Sequence, residues 1–153
     1  VSAGLPLGVP RVLIVSDAAN VRADVRSVLA GPPGDVHELD SGAQAAAEVK
    51  TQPPDLVVLD LQIGNMGGMA TCLDLRLEES AGRLPHVPVL MLLDRRADVF
   101  LARRSAAEGW VVKPLDPIRL RGAIQAILAG GTYEDTSYQP SPILVGEDPG
   151  PAP

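Results

Sequence analysis

Short apolar runs alternate with stretches of helical spacing along most of this chain. Val12-Leu13-Ile14-Val15, Leu56-Val57-Val58-Leu59, Val87 to Leu93 and Trp110-Val111-Val112 are near-continuous apolar runs, the pattern of strands covered on both faces. Pro88 is tolerable only at the start of its strand. A weaker strand is expected around Val36 to Leu39, followed by an Ala-rich helix from near Ser41. Between the first two strands, Val21, Val25, Val28 and Leu29 form one stripe of a helix that Asn20 would cap. A helix from about Gly68 to Ser80 should place Met69, Leu73 and Leu77 on one face, and another should run near Ala97 to Ala107. The last helix opens with Asp116-Pro117, a cap followed by proline in the first turn, and closes at Gly130-Gly131. Five strand–helix units in about 120 residues predict an α/β fold, a parallel five-stranded sheet doubly wound by helices on both faces.

Charge and composition divide the chain. All 13 basic residues and 15 of the 19 acids lie within 11–130, leaving that part at −2. Residues 131–153 hold Glu134, Asp135, Glu147 and Asp148 with no basic residue, and five prolines. Such a segment buries too little apolar surface to offset its ordering entropy, so 131–153 reads as an acidic, Pro-rich, mostly disordered tail. Pro142-Ile143-Leu144-Val145 is its one apolar patch. Residues 1–10 read as a short N-terminal extension and 11–130 as the single domain. A lone cysteine, Cys72, excludes an intrachain disulfide framework. Apolar runs of seven residues fall far short of the ~20 that span a membrane. The N-terminus, which begins with Val, lacks the basic region of a signal peptide. The expectation is a cytoplasmic protein without membrane contact.

Candidate chemistry gathers at the strand ends. In an open parallel sheet, ligands bind beyond the carboxyl ends of the strands. The first strand ends in Ser16-Asp17, the third in Asp60, the fourth in Leu93-Asp94 and the fifth in Lys113-Pro114. Two carboxylates with a backbone carbonyl suit a hard divalent cation such as Mg²⁺, and a lysine there would counter phosphoryl charge. The constellation points to phosphoryl chemistry on an aspartate.

VLIVSD, PDLVVLDLQIGNMGG, VPVLMLL and EGWVVKPLDP, in that order, resemble the response-regulator receiver family over about residues 11–130. The resemblance implies a flavodoxin-like (βα)5 fold with strand order 2-1-3-4-5. It implies Asp60 as phosphoacceptor, Lys113 as partner of the phosphoryl group, and Asp17, Asp60 and the Gln62 main-chain carbonyl as Mg²⁺ ligands. It also implies a cis Lys113-Pro114 bond. Ser16 replaces the first of two adjacent acids and would reach the metal only through water, so Mg²⁺ should bind weakly. Leu93 stands where the family has a hydroxyl that bonds the phosphoryl oxygen, and Trp110 occupies the position of its switching aromatic. The loop from Leu93 to Lys113 is about two residues short. This is an atypical receiver.

The function that follows is a single-domain response regulator of a two-component phosphorelay. It would accept a phosphoryl group on Asp60 from a sensor histidine kinase or phosphotransfer protein and signal to a downstream protein. It would be no enzyme beyond self-phosphotransfer and autodephosphorylation. No direct DNA binding is expected, because no further domain follows Gly130 in this sequence. A homodimer through the helix 4–strand 5–helix 5 face is one arrangement the family suggests. The alternative is a phosphorylation-independent protein-interaction module, favoured by Ser16 and Leu93. A small aspartyl phosphatase is weaker, since Gln62 stands where its second Asp belongs. Nucleotide binding lacks a phosphate cradle, and no His/Cys metal cluster is visible.

Overall fold

The protein is described here by a computed structural model covering residues 10–29, 35–64 and 66–137. Most of the expected N-terminal extension and residues 138–153, including the Pro142–Val145 patch, lie outside the described residues. Strands β1 (Arg11–Val15), β2 (Asp35–Leu39), β3 (Leu56–Asp60), β4 (Val89–Leu93) and β5 (Gly109–Val112) form one parallel sheet. Helices α1 (Ala19–Val28), α2 (Ala45–Thr51), α3 (Gly68–Ser80), α4 (Val99–Arg104) and α5 (Pro117–Leu128) connect and cover them. The strand order is the anticipated 2-1-3-4-5, extended by a sixth strand, β6 (Tyr133–Glu134), beside β5. The architecture is flavodoxin-like.

Strand alternation explains the two cores. Leu13, Val15, Val57, Leu59, Val89, Met91, Leu93 and Trp110 project to the face covered by α2, α3 and α4. Val12, Ile14, Leu56, Val58, Leu90, Leu92 and Val111 project to the opposite face, under α1 and α5. Successive strand side chains point to opposite sides, so a continuous apolar run fills both layers at once. Each fully buried Val, Leu or Ile contributes roughly 1.5–3 kcal/mol, which is how a core with few rings suffices. At the C-terminal helix the cap is as expected: the Asp116 carboxylate accepts from the Ile118 and Arg119 N–H groups, with Pro117 in the first turn.

Several expectations need correction. The α1 N-cap is Ala18, not Asn20, which lies inside the helix without capping it. On α3 the buried face is Thr71, Cys72 and Leu75, while Leu73 and Leu77 are exposed. Apolar spacing alone could not choose between two overlapping stripes of one helix. The helix expected near Ala97 to Ala107 is a 3-10 turn, Arg96–Asp98, plus the six-residue α4. The chain leaves α4 through Ala106 at φ 60. This compression accommodates the short spacing from Leu93 to Lys113.

Within 131–153, read as a mostly disordered tail, the described residues include a short ordered stretch. Tyr133 and Glu134 pair in parallel with Gly109 and Trp110, and Asp135 is buried at 1% exposure. Averaging composition over 131–153 hid a short strand whose ordering is driven by an open sheet edge. The edge of β5, part of the face suggested for a homodimer, is thereby occupied by the chain's own strand.

Cys72 packs as a small, fully buried apolar group. Its Sγ lies 3.2 Å from the Ser105 carbonyl oxygen, and burial pushes the thiol up to about 11. His37 and His86 are half-exposed; His37 pairs with Asp35, and His86 lies between Glu79 and Glu108. Around α4, Arg103 lies over the Trp110 ring at 5.2 Å and Arg104 over Phe100 at 5.3 Å. Arg95 bonds the buried Asp98.

Candidate functional site

The parallel sheet brings the carboxyl ends of β1, β3, β4 and β5 to one rim, and the expected residues meet there. Asp60, at the end of β3, is 1% exposed. Its Oδ1 accepts from Lys113 Nζ at 2.8 Å and from the Gln62 backbone N–H at 3.3 Å. Its Oδ2 accepts from the Ser16 hydroxyl at 2.7 Å. A buried carboxylate needs such partners, because desolvating an unpaired charge is far costlier than pairing it.

Lys113, directly after β5, is held by the neighbouring strand β4. Its backbone N–H donates to the Leu93 carbonyl at 2.7 Å, and the following Lys113-Pro114 bond is cis, as the resemblance implied. Its ammonium reaches Asp60 and also Asp94 Oδ1 at 3.1 Å. Burial alone would lower its proton affinity, but the bond to Asp60 and its charge, with Asp94 adding, outweigh this and hold Lys113 above the ordinary lysine value.

Ser16, where the resemblance would have an acid, is well used. Its backbone N–H donates to Leu39, and Arg22 donates to its carbonyl at 2.6 Å. Its hydroxyl oxygen accepts from the Ala18 N–H at 3.1 Å while donating to Asp60. A second lone pair remains able to accept from a water. Asp17 is exposed, and its Oδ2 accepts from the Gly64 N–H at 2.9 Å, tying the loop after β3 to β1. Gly68 lets the start of α3 lie against the end of β3: a Cβ there would stand 2.5 Å from the Asp60 carbonyl oxygen.

Asp17, Asp60 and the Gln62 carbonyl are the groups that could hold a cation here. They are hard oxygen ligands, and two carboxylates with retained waters fit the coordination habits of Mg²⁺. Among the described residues no group of three or more His, Cys, Asp or Glu side chains is placed to hold a metal.

The two positions expected to take part in switching, Leu93 and Trp110, are both interior. Leu93 is fully buried in the apolar layer shared with Met91, Val99 and Trp110. It offers no hydroxyl to the rim. Trp110 is 4% exposed, and its indole Nε1 has no hydrogen-bond partner among the described residues. Two residues escaped the sequence reading as parts of this region. Asp135 was submerged in the acidic tail, with only the Gly-Gly break before it and Ser137 after it as signals. Gly64, which bonds Asp17 through its main chain, carries no side-chain signal at all.

Comparison with known proteins agrees with this geometry. The response regulator receiver domain family matches residues 12–125. The DNA-binding response regulator MtrA of Mycolicibacterium paratuberculosis is 33% identical over 120 residues, covering 77% of this chain and 51% of that protein. Among solved structures, a LuxR-family two-component response regulator from Aurantimonas sp. SI85-9A1 is 28% identical with a TM-score of 0.69, covering 82% of this chain and 89% of that one. A putative response regulator from Chloroflexus aurantiacus is 25% identical with a TM-score of 0.71, covering 79% and 98%. The family match over most of the chain places it among the signalling modules of two-component systems, a class that is generally non-enzymatic. The chain belongs to the response regulator receiver domain family.

The chain spans about half the length of the curated relatives it matches. Several are named DNA-binding regulators, a kinship that runs against the expectation of no direct DNA binding. No helix among the described residues is long and apolar enough to cross a membrane.

Proposed function

We propose that this receiver domain accepts a phosphoryl group on Asp60 from a histidine kinase or phosphotransfer protein. The observation that carries the reading is the 2.8 Å contact between Lys113 Nζ and Asp60 Oδ1, made across 53 residues of sequence. In the transfer, an Asp60 carboxylate oxygen bonds to phosphorus while the phosphorus–nitrogen bond of the donor histidine breaks and its electrons leave with the imidazole. Catalysis of such a step is chiefly positioning and charge compensation. Lys113 supplies a fixed cation beside the acceptor, and the Gln62 N–H orients Oδ1. The Ser16 hydroxyl bond must yield if Oδ2 is the attacking atom. Asp17, Asp60 and the Gln62 carbonyl would hold Mg²⁺, which when bound compensates phosphoryl charge. Because Ser16 brings no charge, the metal should bind weakly.

Incubation with Mg²⁺ and acetyl phosphate, read by intact mass, tests the reading. The wild-type chain is expected to gain one phosphoryl group and Asp60→Asn none. No gain by the wild type at millimolar donor would refute it.

A second reading, an interaction module that needs no phosphorylation, is favoured by Leu93. A charged hydrogen bond to a hydroxyl at this position is worth about 1.5–3 kcal/mol, comparable with the gap between two conformers. Leu93 cannot supply it. Leu93→Thr is therefore expected to give a Trp110 fluorescence change on phosphorylation that the wild type lacks. Equal responses from the two chains would remove the missing hydroxyl as the reason for an absent switch. In either reading the output is a protein contact of the domain itself.

A further inference from the structure

The end of β5 that carries Lys113 is clamped from both sides, and the outer clamp is a residue from beyond the expected domain. Strand β6 pairs with β5 only at Gly109 and Trp110. Two residues further along, the Val112 N–H points toward the same outer side, where β6 has already ended. In a sheet interior a neighbouring strand would accept that donor. Here Asp135 Oδ2 accepts it at 2.9 Å. The next amide, that of Lys113, points the opposite way, to the Leu93 carbonyl of β4.

Asp135 is itself tightly held. It is 1% exposed, its Oδ1 accepts from the Ser137 N–H at 2.9 Å, and Arg119 Nε lies 3.5 Å from the same oxygen. Burial would raise its carboxyl, but the bonds from Ser137 and the Val112 N–H, with the Arg119 charge, win and hold it below the usual carboxylate range. The seat of the strap is equally specific. The Tyr133 N–H donates to the Glu108 carbonyl at 3.1 Å. A Cβ on Gly109 would come within 2.6 Å of the Tyr133 carbonyl oxygen, so the close approach depends on glycine.

We propose that Asp135 is a positioning residue that latches the 132–137 segment onto β5 and fixes the strand end from which Lys113 reaches Asp60. The sixth strand is thus part of the site's frame. A ladder bond from β6 to Val112 is replaced by a carboxylate that only this segment supplies. Loss of the carboxylate releases the strap and loosens the one lysine at the rim.

The chain contains only two lysines, Lys50 and Lys113, and Lys50 is exposed, so each full-length variant carries its own reference. Brief acetylation with acetic anhydride, read by peptide mass, reports how freely the Lys113 amine leaves Asp60. Amide hydrogen exchange reports the strap. In Asp135→Asn, exchange at Val112 and Tyr133 is expected to rise by about tenfold, with Val58 in β3 unchanged. The Lys113-to-Lys50 acetylation ratio should rise several-fold with it. Tyr133→Pro, which removes the donor to Glu108 and leaves Asp135 in place, should release the strap and raise the same ratio. It carries the test if Asp135→Asn also deprotects Val58. Unchanged Val112 exchange, or faster exchange with an unchanged lysine ratio, overturns the proposal. Loading of Asp60 from acetyl phosphate should slow in both variants, a readout that rests on the phosphoacceptor reading. A wild type that never loads tells against that reading alone, and the lysine ratio still judges the latch.

Discussion

Replacing Lys113 with methionine is expected to lower stability at neutral pH by about 2–4 kcal/mol, seen as a lower urea midpoint at unchanged slope. Asp60 is almost completely buried and would keep only two neutral donors, the Ser16 hydroxyl and the Gln62 N–H. Methionine preserves most of the lysine's apolar stem, so the loss reports the charge rather than packing. The Lys113 side chain retains 20% exposure, which keeps the effect below that of a wholly desolvated pair. Adding Asp60→Asn should recover much of the loss, because no buried charge then lacks a counter-ion. Equal losses in the single and double variants would show that the two charges are not coupled.

The same pair sets an alkaline limit. Lys113 binds its proton more tightly in the folded chain than at the ordinary value of 10.5. Its contribution is complete below that value and is lost as pH rises through the higher folded one. Tyr133, also held above its usual value, chiefly by burial with the nearby Asp135 charge adding, acts in the same direction. Comparison with Lys113→Met separates the two, since the variant should lose stability less steeply above pH 10.5.

Gly68→Ala is expected to cost about 2–3 kcal/mol, although alanine is ordinarily the better helix former. The added Cβ would fall 2.5 Å from the Asp60 carbonyl oxygen and 2.7 Å from the Leu61 Cα. Both are backbone atoms at the end of β3, so relief requires moving α3 away from the strand that presents Asp60. The Gly68 N–H bond to the Leu61 carbonyl, 2.9 Å, would stretch with it. Gly122 is the control. It lies within α5, and a Cβ there meets nothing within 4 Å, so Gly122→Ala should stabilise by roughly 0.5–1 kcal/mol. Thermal unfolding of the two variants decides the matter. A Gly68→Ala chain as stable as Gly122→Ala would mean the contact relaxes without strain.

Much of this molecule is legible before any coordinates are considered. Apolar runs such as Leu56–Leu59 identify strands covered on two faces because alternate side chains must enter two separate layers. Asp116-Pro117 specifies a helix start because capping geometry is local. Asp17, Asp60 and Lys113 can be placed at one rim because parallel strands deliver their carboxyl ends to the same side. The α3 face was misjudged because Met69, Leu73 and Leu77 share a stripe with the correct period, and a period does not say which side meets the sheet.

What the sequence by itself determined was local and periodic: strand runs, helix stripes, the Asp116 cap, and the residue types at each strand end. The tertiary structure alone decided that Ser16 donates to Asp60, that Gly64 holds Asp17, and that Asp135 completes the edge of β5. These contacts join residues far apart along the chain, and several use main-chain groups that every residue carries. A backbone N–H left without a strand partner, like that of Val112, has no signature in composition. Only the folded sheet shows that the donor exists there and that a carboxylate from an apparently featureless tail must meet it.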